Sequence, residues 1–375
     1  MMKRTERKEK AERNSNFIVT ATFLIIVFAL CAGNLISPLN ALSYAERRKL
    51  AQPPKFTLET VLDGSAMGKL DEFLTDQFVF RESFRRLKAL GAFYLLGRLD
   101  NNGIAIHDGS AIKLESDLRE EAVLGAAQKI SDIYLQYFEG MKVCYAIIPD
   151  KNYYIAPKGG YPALDYEKME SLLLENMHND LIYIDIFDSL EAGSYYNTDP
   201  HWRQEELGGL ISALCDALGI APVDIGAYER HELSPFYGAY YGHSALPLSP
   251  DNMVYLTNPY TEAATAFNYE TYLQIPVYSP ELFSGMDPYD VYLSGATPLV
   301  EIESPLCKSG KELIIFRDSF GSSLAPLLLE SYSKITLVDT RYMLSSLIGN
   351  YIDIDGQDVL FMYSAPVINN SEMLR

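Results

Sequence analysis

Continuous apolar runs of strand length alternate with segments of helical periodicity in two parts of the chain. In the first part, the apolar runs are "MKVCYAIIP" and "LIYIDIFDSL", and residues 162–177 and 205–218 have helical spacing. In the second part, the runs "ELIIF", "KITLV" and "DVLFMYS" enclose predicted helices at residues 322–332 and 342–351. Strands without polar alternation are typical of parallel sheets that are covered on both faces. The pattern therefore predicts an α/β fold whose parallel sheet is assembled from two separate stretches of sequence.

Other segments flank or interrupt this sheet. Residues 69–90 have the spacing of one or two amphipathic helices, and residues 116–138 that of another helix, with Ser116 as its cap. The stretch "DNNGIAIHDGSAI" predicts a turn followed by short strands. Residues 221–309 are rich in Pro, Gly and Tyr. We expect them to form an insertion of short strands and long loops that folds over the sheet.

The N-terminus carries a segment long enough to cross a bilayer. Residues 17–36, "FIVTATFLIIVFALCAGNLI", contain no charged side chain and follow the basic stretch "KRTERKEKAER". Basic flanks stay in the cytoplasm, so the rest of the chain is predicted to lie outside. We predict a cytoplasmic tail (1–16), a transmembrane anchor (17–37), a linker (38–55) and an extracytoplasmic domain (56–375). The alternative is a signal peptide cleaved near Ala41 or Ala45.

Charge and composition restrict the classes of function. The 375 residues carry a formal net charge of -19, which argues against binding to nucleic acid. The four cysteines form no CxxC pair and no zinc spacing, so buried free thiols are expected, and neither a metal nor a cofactor is predicted. The 27 tyrosines suit either a sugar-binding cleft or the packing of strands.

Two loops carry candidate chemistry at the predicted carboxyl ends of strands, where ligands of parallel sheets gather. In "RDSFGSS", Ser319 falls at a strand-to-helix turn, where its hydroxyl would project beside the free N–H groups of the helix start. The alternative is that Asp318 or Ser319 only caps the helix.

The second loop, "NTDPHW", supplies a base and an acid. Asp199 and His201 are two residues apart, and an extended chain held by Pro200 would display both side chains on one side. The carboxylate would then fix the imidazole tautomer, as a serine nucleophile requires. The alternative is that His201 is packed in the core and that Asp199 caps a helix starting near Arg203.

Together, "TDPHW" and "RDSFGSSLAPLLLESYSKITLVDTRYM" resemble the DHHW family, whose relatives are alginate O-acetyltransferase-like proteins with SGNH-hydrolase-type domains. Further similar stretches are "PPKFTLETVLDGSAMGKLDEFLTDQFVFRESF", "IIPDKNYY", "FYGAYYGHSAL" and "DPYDVYLSGATPL". The resemblance implies a flavodoxin-like parallel sheet and a permuted order of the triad, with Asp and His before Ser. Carried over, it implies Ser319 as nucleophile, His201 as base and Asp199 as orienting acid. One departure is Pro200, which stands where the family's first histidine is expected.

Four further residues are candidates for binding substrate or the oxyanion. Arg341, in "DTRYM", follows a strand and would hold an anion, or it pairs with Asp339. Gly295 would offer a backbone N–H to the oxyanion, by analogy with a glycine of the family. Tyr240 and Tyr241, in "FYGAYYG", would form an aromatic floor for sugar rings, or they belong to the core.

Two functions follow from these residues and from the resemblance. The first is acyl transfer or ester hydrolysis on an envelope or exported polysaccharide, with water or a sugar hydroxyl as the acceptor. The resemblance implies a membrane-bound O-acyltransferase as the partner that supplies acetyl groups. The second is a non-catalytic protein that binds polysaccharide or acts as a scaffold in such a machinery.

Overall fold

The computed structural model describes residues 2–375, with side chains from residue 12 onward. The chain divides into two compact units, one ending at Gly91 and the other formed by Ala92–Arg375. The side chains of the basic stretch up to residue 11 lie outside the described residues. The orientation inferred from that stretch therefore stays a prediction, as does the domain division proposed from the sequence.

In the described residues the α-helices are α1 Met2–Ile36, α2 Leu58–Leu62, α3 Ser65–Asp76, α4 Arg81–Leu90, α5 Glu120–Ile133, α6 Lys151–Gly159, α7 Tyr166–Asn176, α8 Gly208–Leu218, α9 Ala239–Ser244, α10 Pro259–Ala263, α11 Phe320–Leu324 and α12 Ala365–Ile368. The strands are β1 Leu42–Ser43, β2 Arg48–Lys49, β3 Ile104–His107, β4 Ser110–Lys113, β5 Val143–Ile148, β6 Ile182–Tyr183, β7 Glu229–Phe236, β8 Asp251–Thr257, β9 Thr265–Asn268, β10 Leu273–Ile275, β11 Leu299–Glu303, β12 Glu312–Arg317, β13 Lys334–Val338 and β14 Asp358–Ser364.

The first unit contains the apolar helix α1 and, after it, a small helical segment at residues 37–91, which is called the helical cap below. Residues 12–36 of α1 are long and apolar enough to cross a membrane, a property that an anchor and a signal sequence share. Helices α3 and α4 occupy the region where one or two amphipathic helices were predicted. The predicted linker is more ordered than expected, since β1 and β2 pair antiparallel within it.

The second unit is built around an eight-stranded sheet of order β10-β9-β11-β13-β12-β14-β5-β6. The five strands from β13 to β6 run parallel, as the apolar runs predicted. Their carboxyl ends therefore lie along one edge of the sheet.

Both faces of this sheet are buried. Along β5, Cys144, Ala146 and Ile148 belong to one apolar core, whereas Val143, Tyr145 and Ile147 belong to the core on the other face. Successive side chains of a strand point to opposite faces, so a strand covered on both sides needs apolar residues at every position. The uninterrupted apolar runs of the sequence are explained by this two-sided burial.

The insertion differs from its prediction. Instead of only folding over the sheet, residues 221–309 contribute β9, β10 and β11, which extend the sheet by three antiparallel strands. The same segment also forms a separate hairpin from β7 and β8. The alternating pattern of β11, with Glu301 and Glu303 less buried than their neighbours, is that of an antiparallel strand with one covered face.

Several predicted elements are shorter than expected. Helix α5 begins after Arg119, so Ser116 is not its cap. The run "LIYIDIFDSL" forms a strand only at Ile182–Tyr183, and residues 342–351 hold a 3₁₀ helix at Ser345–Asn350. Helix α11 gives way to a 3₁₀ turn at Ala325–Leu328 because Pro326 lacks the N–H that would continue the α-helix.

Candidate active site

Ser319 lies where the sequence predicted it, at the carboxyl edge of the sheet. It comes two residues after the end of β12 and directly before α11. Its side chain is half-buried, while Asp318 before it and Phe320 after it are buried. The serine hydroxyl is therefore held at the sheet edge and keeps contact with solvent.

The loop that carries Asp199 and His201 has a different shape from the predicted one. It does not follow directly from β6 but closes on itself, with Tyr195 bridged to Trp202 and with the N–H of Tyr196 donating to the carbonyl of His201 at 3.1 Å. At the tip, Asp199 Oδ1 accepts the backbone N–H of His201 at 3.1 Å, as in an Asx turn. A tight turn, and not an extended tripeptide, thus places the acid beside the imidazole.

The structure brings the three predicted side chains into one hydrogen-bonded chain. His201 Nδ1 lies 2.6 Å from Asp199 Oδ1, and His201 Nε2 lies 2.7 Å from Ser319 Oγ. The second carboxylate oxygen, Asp199 Oδ2, accepts the N–H of Ala239 at 2.8 Å. A carboxylate only accepts, so the proton between the two residues belongs to Nδ1, and Nε2 is left as an acceptor facing the serine hydroxyl. This is the arrangement in which a serine can lose its proton to histidine.

Aromatic rings fix the plane of the imidazole. Tyr289 stacks on His201 with ring centroids 3.8 Å apart and an interplanar angle of 11°, and Phe320 lies against the imidazole at 4.9 Å. The hydroxyl of Tyr289 and Nε1 of Trp202 both donate to Ser323 Oγ, each at 2.8 Å. The chain's single tryptophan thus ties the loop of Asp199 and His201 to helix α11, which begins directly after Ser319.

A buried carboxylate from the insertion holds the loop from behind. Asp251 Oδ1 accepts the N–H of Asn197 at 2.9 Å, and Oδ2 accepts both the N–H and the hydroxyl of Thr198 at 2.8 and 2.6 Å. Arg203 reaches the same carboxylate at 3.3 Å. These bonds satisfy the polar groups of a loop whose Thr198 and Asp199 are fully buried.

Gly238 makes the close approach between the insertion and the loop possible. Its N–H donates to the Thr198 hydroxyl at 2.9 Å. A Cβ at this position would lie 2.3 Å from the Thr198 carbonyl oxygen and 2.4 Å from the Asp199 Cβ. Only a residue without a side chain fits there.

A buried lysine lies under the same loop. Lys151 donates from Nζ to the carbonyl oxygens of Tyr196 and Asn197 at 2.8 and 3.0 Å. Burial lowers the pKa of Lys151 to about 7, against the attraction of Asp199, Asp251 and Asp150. Burial also raises the pKa of Asp150 to about 6, although the Tyr166 hydroxyl donates to it. Lys151 therefore supports the loop that carries the acid and the base.

The backbone amides after Ser319 differ from the expectation that free N–H groups of the helix start lie beside its hydroxyl. The N–H of Phe320 donates to Asp318 Oδ1 at 3.1 Å, and those of Gly321 and Ser322 donate to the carbonyls of Asp318 and Ser319. They are therefore not directed at the serine hydroxyl as a preformed oxyanion site. Asp318 caps this turn through its side chain and also accepts the N–H of Ser364 at 2.8 Å.

The structure favours the ion-pair interpretation of Arg341. Its Nε and Nη2 donate to the two carboxylate oxygens of Asp339 at 2.9 and 2.6 Å. Asp339 also lies 3.8 Å from the fully buried Arg317. A bidentate partner neutralises Arg341, so the anion-holding role finds no support in these contacts.

The other low-ranked candidates have mainly structural contacts. The N–H of Gly295 donates to the carbonyl of Tyr292 at 3.2 Å, so the predicted oxyanion role of Gly295 is not supported. Tyr240 and Tyr241 donate their backbone N–H groups to the Thr198 carbonyl at 2.9 and 3.2 Å. Their rings pack partly on a small apolar cluster with Ile104 and Leu248.

Sequence reasoning missed the residues that support the triad: Asp251, Gly238, Tyr289, Ser323 and the structural role of Lys151. All of them except Asp251 lie in stretches that resemble the DHHW family, but that resemblance assigned them no role. Asp251 lies in the insertion, and none of these residues has a spacing that relates it to His201.

The part of the chain that contains these residues matches a known family. The model of the family described as DHHW protein matches residues 165–338, a range that contains all three residues of the hydrogen-bonded chain. The resemblance inferred from the motifs is thereby confirmed. A search of the curated proteins finds no match.

Solved structures show a shared fold. One is a DHHW family protein from Eubacterium siraeum, with a TM-score of 0.61 and 22% identity over 73% of this chain and 95% of that chain. Another is Bacillus cereus PatB1 with a sulfonyl adduct, with a TM-score of 0.57 and 16% identity over 71% of this chain and 95% of that chain. The similarity at these identities concerns the fold.

Proposed function

We propose that this chain of the DHHW type is a membrane-anchored, extracytoplasmic acyl transferase or esterase that acts on ester groups of a polysaccharide. The observation that carries the proposal is the continuous contact from Asp199 through His201 to Ser319, at 2.6 and 2.7 Å. Asp199 and His201 are buried, whereas the Ser319 hydroxyl is only half-buried. An acyl group that arrives from solvent can therefore reach the nucleophile.

The proposed reaction has two steps. Ser319 Oγ attacks the carbonyl carbon of an acetyl ester while His201 Nε2 takes the serine proton, and Asp199 stabilises the imidazolium. The ester C–O bond then breaks, the proton passes to the departing oxygen, and the acetyl group remains on Ser319. A sugar hydroxyl or water attacks this acetyl-enzyme with His201 again as the base, which restores the serine.

The proposed reaction needs a donor for the oxyanion. The amides of Phe320, Gly321 and Ser322 are engaged in the turn, so we assign this role to the N–H of Ser319 itself. Pro200 does not disturb the arrangement, because the acid and the base come from its two neighbours. We therefore regard the departure from the family's motif as compatible with catalysis.

Aromatic residues beside the loop support a sugar as the acceptor or substrate. Tyr237 is exposed and packs against Tyr241 at an interplanar angle of 43°, with ring centroids 4.6 Å apart, and it precedes Gly238, which touches the Asp199 loop. Exposed tyrosine faces suit the apolar faces of sugar rings. An envelope or exported polysaccharide, and a membrane-bound O-acyltransferase as the acetyl donor, follow from the DHHW resemblance and belong to the proposal.

The test is hydrolysis of p-nitrophenyl acetate by the full chain in detergent. Ser319→Ala and Asp199→Asn are expected to lower the rate by about 10³- to 10⁴-fold. Ser171→Ala, on the exposed side of α7, serves as the matched control and should leave the rate unchanged. Mass spectrometry of the intact chain should show an acetyl group on the native protein and not on Ser319→Ala.

The outcome also separates catalysis from scaffolding. Equal release of nitrophenol by the native chain and by Ser319→Ala would favour a protein that only binds polysaccharide. If sugar hydroxyls added to the acetylated chain remove the acetyl group faster than water does, the enzyme is a transferase.

A further inference from the structure

The helical cap that follows α1 exposes an unusual amount of apolar surface. Between residues 37 and 90, thirteen large apolar side chains are exposed, the same number as in the far longer described range 100–375. Exposed leucine and phenylalanine at this density mark a surface that contacts something other than water.

Helix α4 shows the pattern most clearly. Phe84, Leu87 and Leu90 are 44%, 64% and 37% exposed, at the spacing i, i+3, i+6 that places them on one face, and Phe80, the residue before the helix, is 69% exposed. Ala89, on the opposite face, is fully buried. One exposed face of this helix is therefore apolar, whereas an ordinary surface helix exposes polar side chains and buries its apolar face. The groove beside it, about 490 Å³ in volume, is lined by apolar Leu74, Phe78 and Phe84 and by Arg81, Arg85 and Lys88.

Direct hydrogen bonds tie this cap to the end of the apolar helix. The N–H of Val79 donates to Asn34 Oδ1 at 2.7 Å, and Gln77 exchanges two hydrogen bonds with the backbone of Asn40, both at 2.9 Å. Asn34 lies within the last turn of a helix long enough to cross a membrane. If α1 spans a bilayer, the residues around Val79 lie at the depth where the bilayer meets water.

The charge of the cap fits that location. Residues 37–91 contain nine Lys and Arg against seven Asp and Glu, whereas residues 92–375 contain sixteen against forty. The strongly acidic remainder of the chain would be repelled by anionic headgroups, and the cap would not.

We propose that the apolar face of α4 formed by Phe84 and Leu87, together with the preceding Phe80, docks into the outer interface of the bilayer that α1 crosses. The occupant of this face is phospholipid: the apolar side chains enter the boundary between headgroups and acyl chains. Lys88 remains at headgroup level, while Arg81 and Arg85 stay paired with Glu46 and Glu82. This inference rests on the anchored topology of the proposed function, but it concerns a surface separate from the proposed catalytic residues. The docking of α4 and the anchoring by α1 are measured separately in the test below.

The test places tryptophan at single exposed positions of the full chain. Leu87→Trp, Phe28→Trp in α1 and Tyr272→Trp in the turn before β10 are reconstituted in vesicles of equal parts phosphatidylcholine and phosphatidylglycerol, with and without lipids brominated near the carbonyl end of the acyl chain. The native Trp202 is fully buried, and the unsubstituted chain measures its background.

Bromolipid is expected to quench Leu87→Trp by about half and to leave Tyr272→Trp unchanged, since quenching requires contact with the lipid. Quenching of Phe28→Trp reports the insertion of α1. If Phe28→Trp is quenched and Leu87→Trp is not, the anchor stands and the docking proposal is wrong. A Leu87→Trp emission that is blue-shifted but unquenched would show that protein, such as a second copy, covers this face, which also overturns the proposal. Quenching of Leu87→Trp without quenching of Phe28→Trp would contradict the proposal, because the face would then contact lipid without α1 crossing the bilayer.

Discussion

The carboxylate of Asp251 accepts both the backbone N–H and the hydroxyl of Thr198, at 2.8 and 2.6 Å, and so anchors the residue that precedes the triad acid. Strand β8 of the insertion begins at Asp251, 53 residues beyond Thr198. The insertion is therefore part of the machinery that places Asp199 and His201.

Asp251→Asn is expected to destabilise the protein. An amide offers one acceptor oxygen where the carboxylate offers two, so at least one buried N–H or hydroxyl of the loop loses its partner. The cost is about 3 kcal/mol of unfolding free energy, measured by urea denaturation. Asp216→Asn, at an exposed position of α8, is the control and should leave the midpoint unchanged. Equal midpoints for the two variants would mean that Asp251 does not carry the loop.

Tyr289 positions the base through its ring. Tyr289→Phe keeps the stacking at 3.8 Å and loses only the hydrogen bond to Ser323, whereas Tyr289→Leu loses the stacking as well. We expect kcat for p-nitrophenyl acetate to fall by about tenfold more in the leucine variant, the upper range for an aromatic pair. The phenylalanine variant is the matched control for the ring. If Tyr289 acts only by positioning His201, KM stays constant in both variants. An increase in KM with kcat unchanged would contradict this role.

Gly238→Ala tests the close approach over the loop. The new Cβ would overlap the Thr198 carbonyl oxygen and the Asp199 Cβ, so the loop or the insertion must move. A loss of about 2 kcal/mol in stability, as for an overpacked core, should accompany a drop in esterase rate. In the control Gly208→Ala, the nearest side-chain atom lies 4.0 Å away, and both properties should be retained. Full activity in Gly238→Ala would show that the contact is not needed to hold Asp199.

Lys151 should give the protein a characteristic pH dependence. Its folded pKa of about 7 lies below the ordinary 10.5, so between these values the unfolded chain binds more protons than the folded one. The unfolding free energy must then rise with pH in this window, by up to about 1.4 kcal/mol per pH unit. Below pH 7 Lys151 is charged in both states, so the unfolding free energy is lowered by the full cost of burying the charged amine.

The measurement is the Tm of the native chain minus that of Lys151→Met from pH 6 to pH 10, a window that follows from the lowered pKa. The difference should grow in favour of the native chain as the pH rises. Lys158→Met, at an exposed position, should show no such trend. A flat difference for Lys151→Met would mean that the lysine stays charged when folded.

The motifs located the centre of the site better than its surroundings. Ser319, His201 and Asp199 could be named because each carries a reactive group in a recognisable pattern. Arg341 and Gly295 were weaker, since a strand end or a glycine is compatible with many contacts. In the structure Arg341 pairs with Asp339, and the N–H of Gly295 closes a turn on Tyr292.

The residue pattern alone predicts the parallel part of the sheet, because a strand buried on both faces must be apolar along its buried length, as β5 is throughout and as β12 and β14 are at residues 313–316 and 359–363. It also determined that a serine stands at the end of β12 and that an acid and a base stand two residues apart. Periodicity and local residue chemistry carry that much information.

The contact of His201 with Ser319 across 118 residues depends on the tertiary fold, and so does the support that Asp251, Gly238 and Tyr289 give to the loop of Asp199 and His201. The tertiary fold also decided that β9, β10 and β11 join the sheet. The physical reason is that hydrogen-bond partners and packing neighbours distant in sequence are set by how the insertion folds against the sheet, and no local pattern of residues encodes that choice.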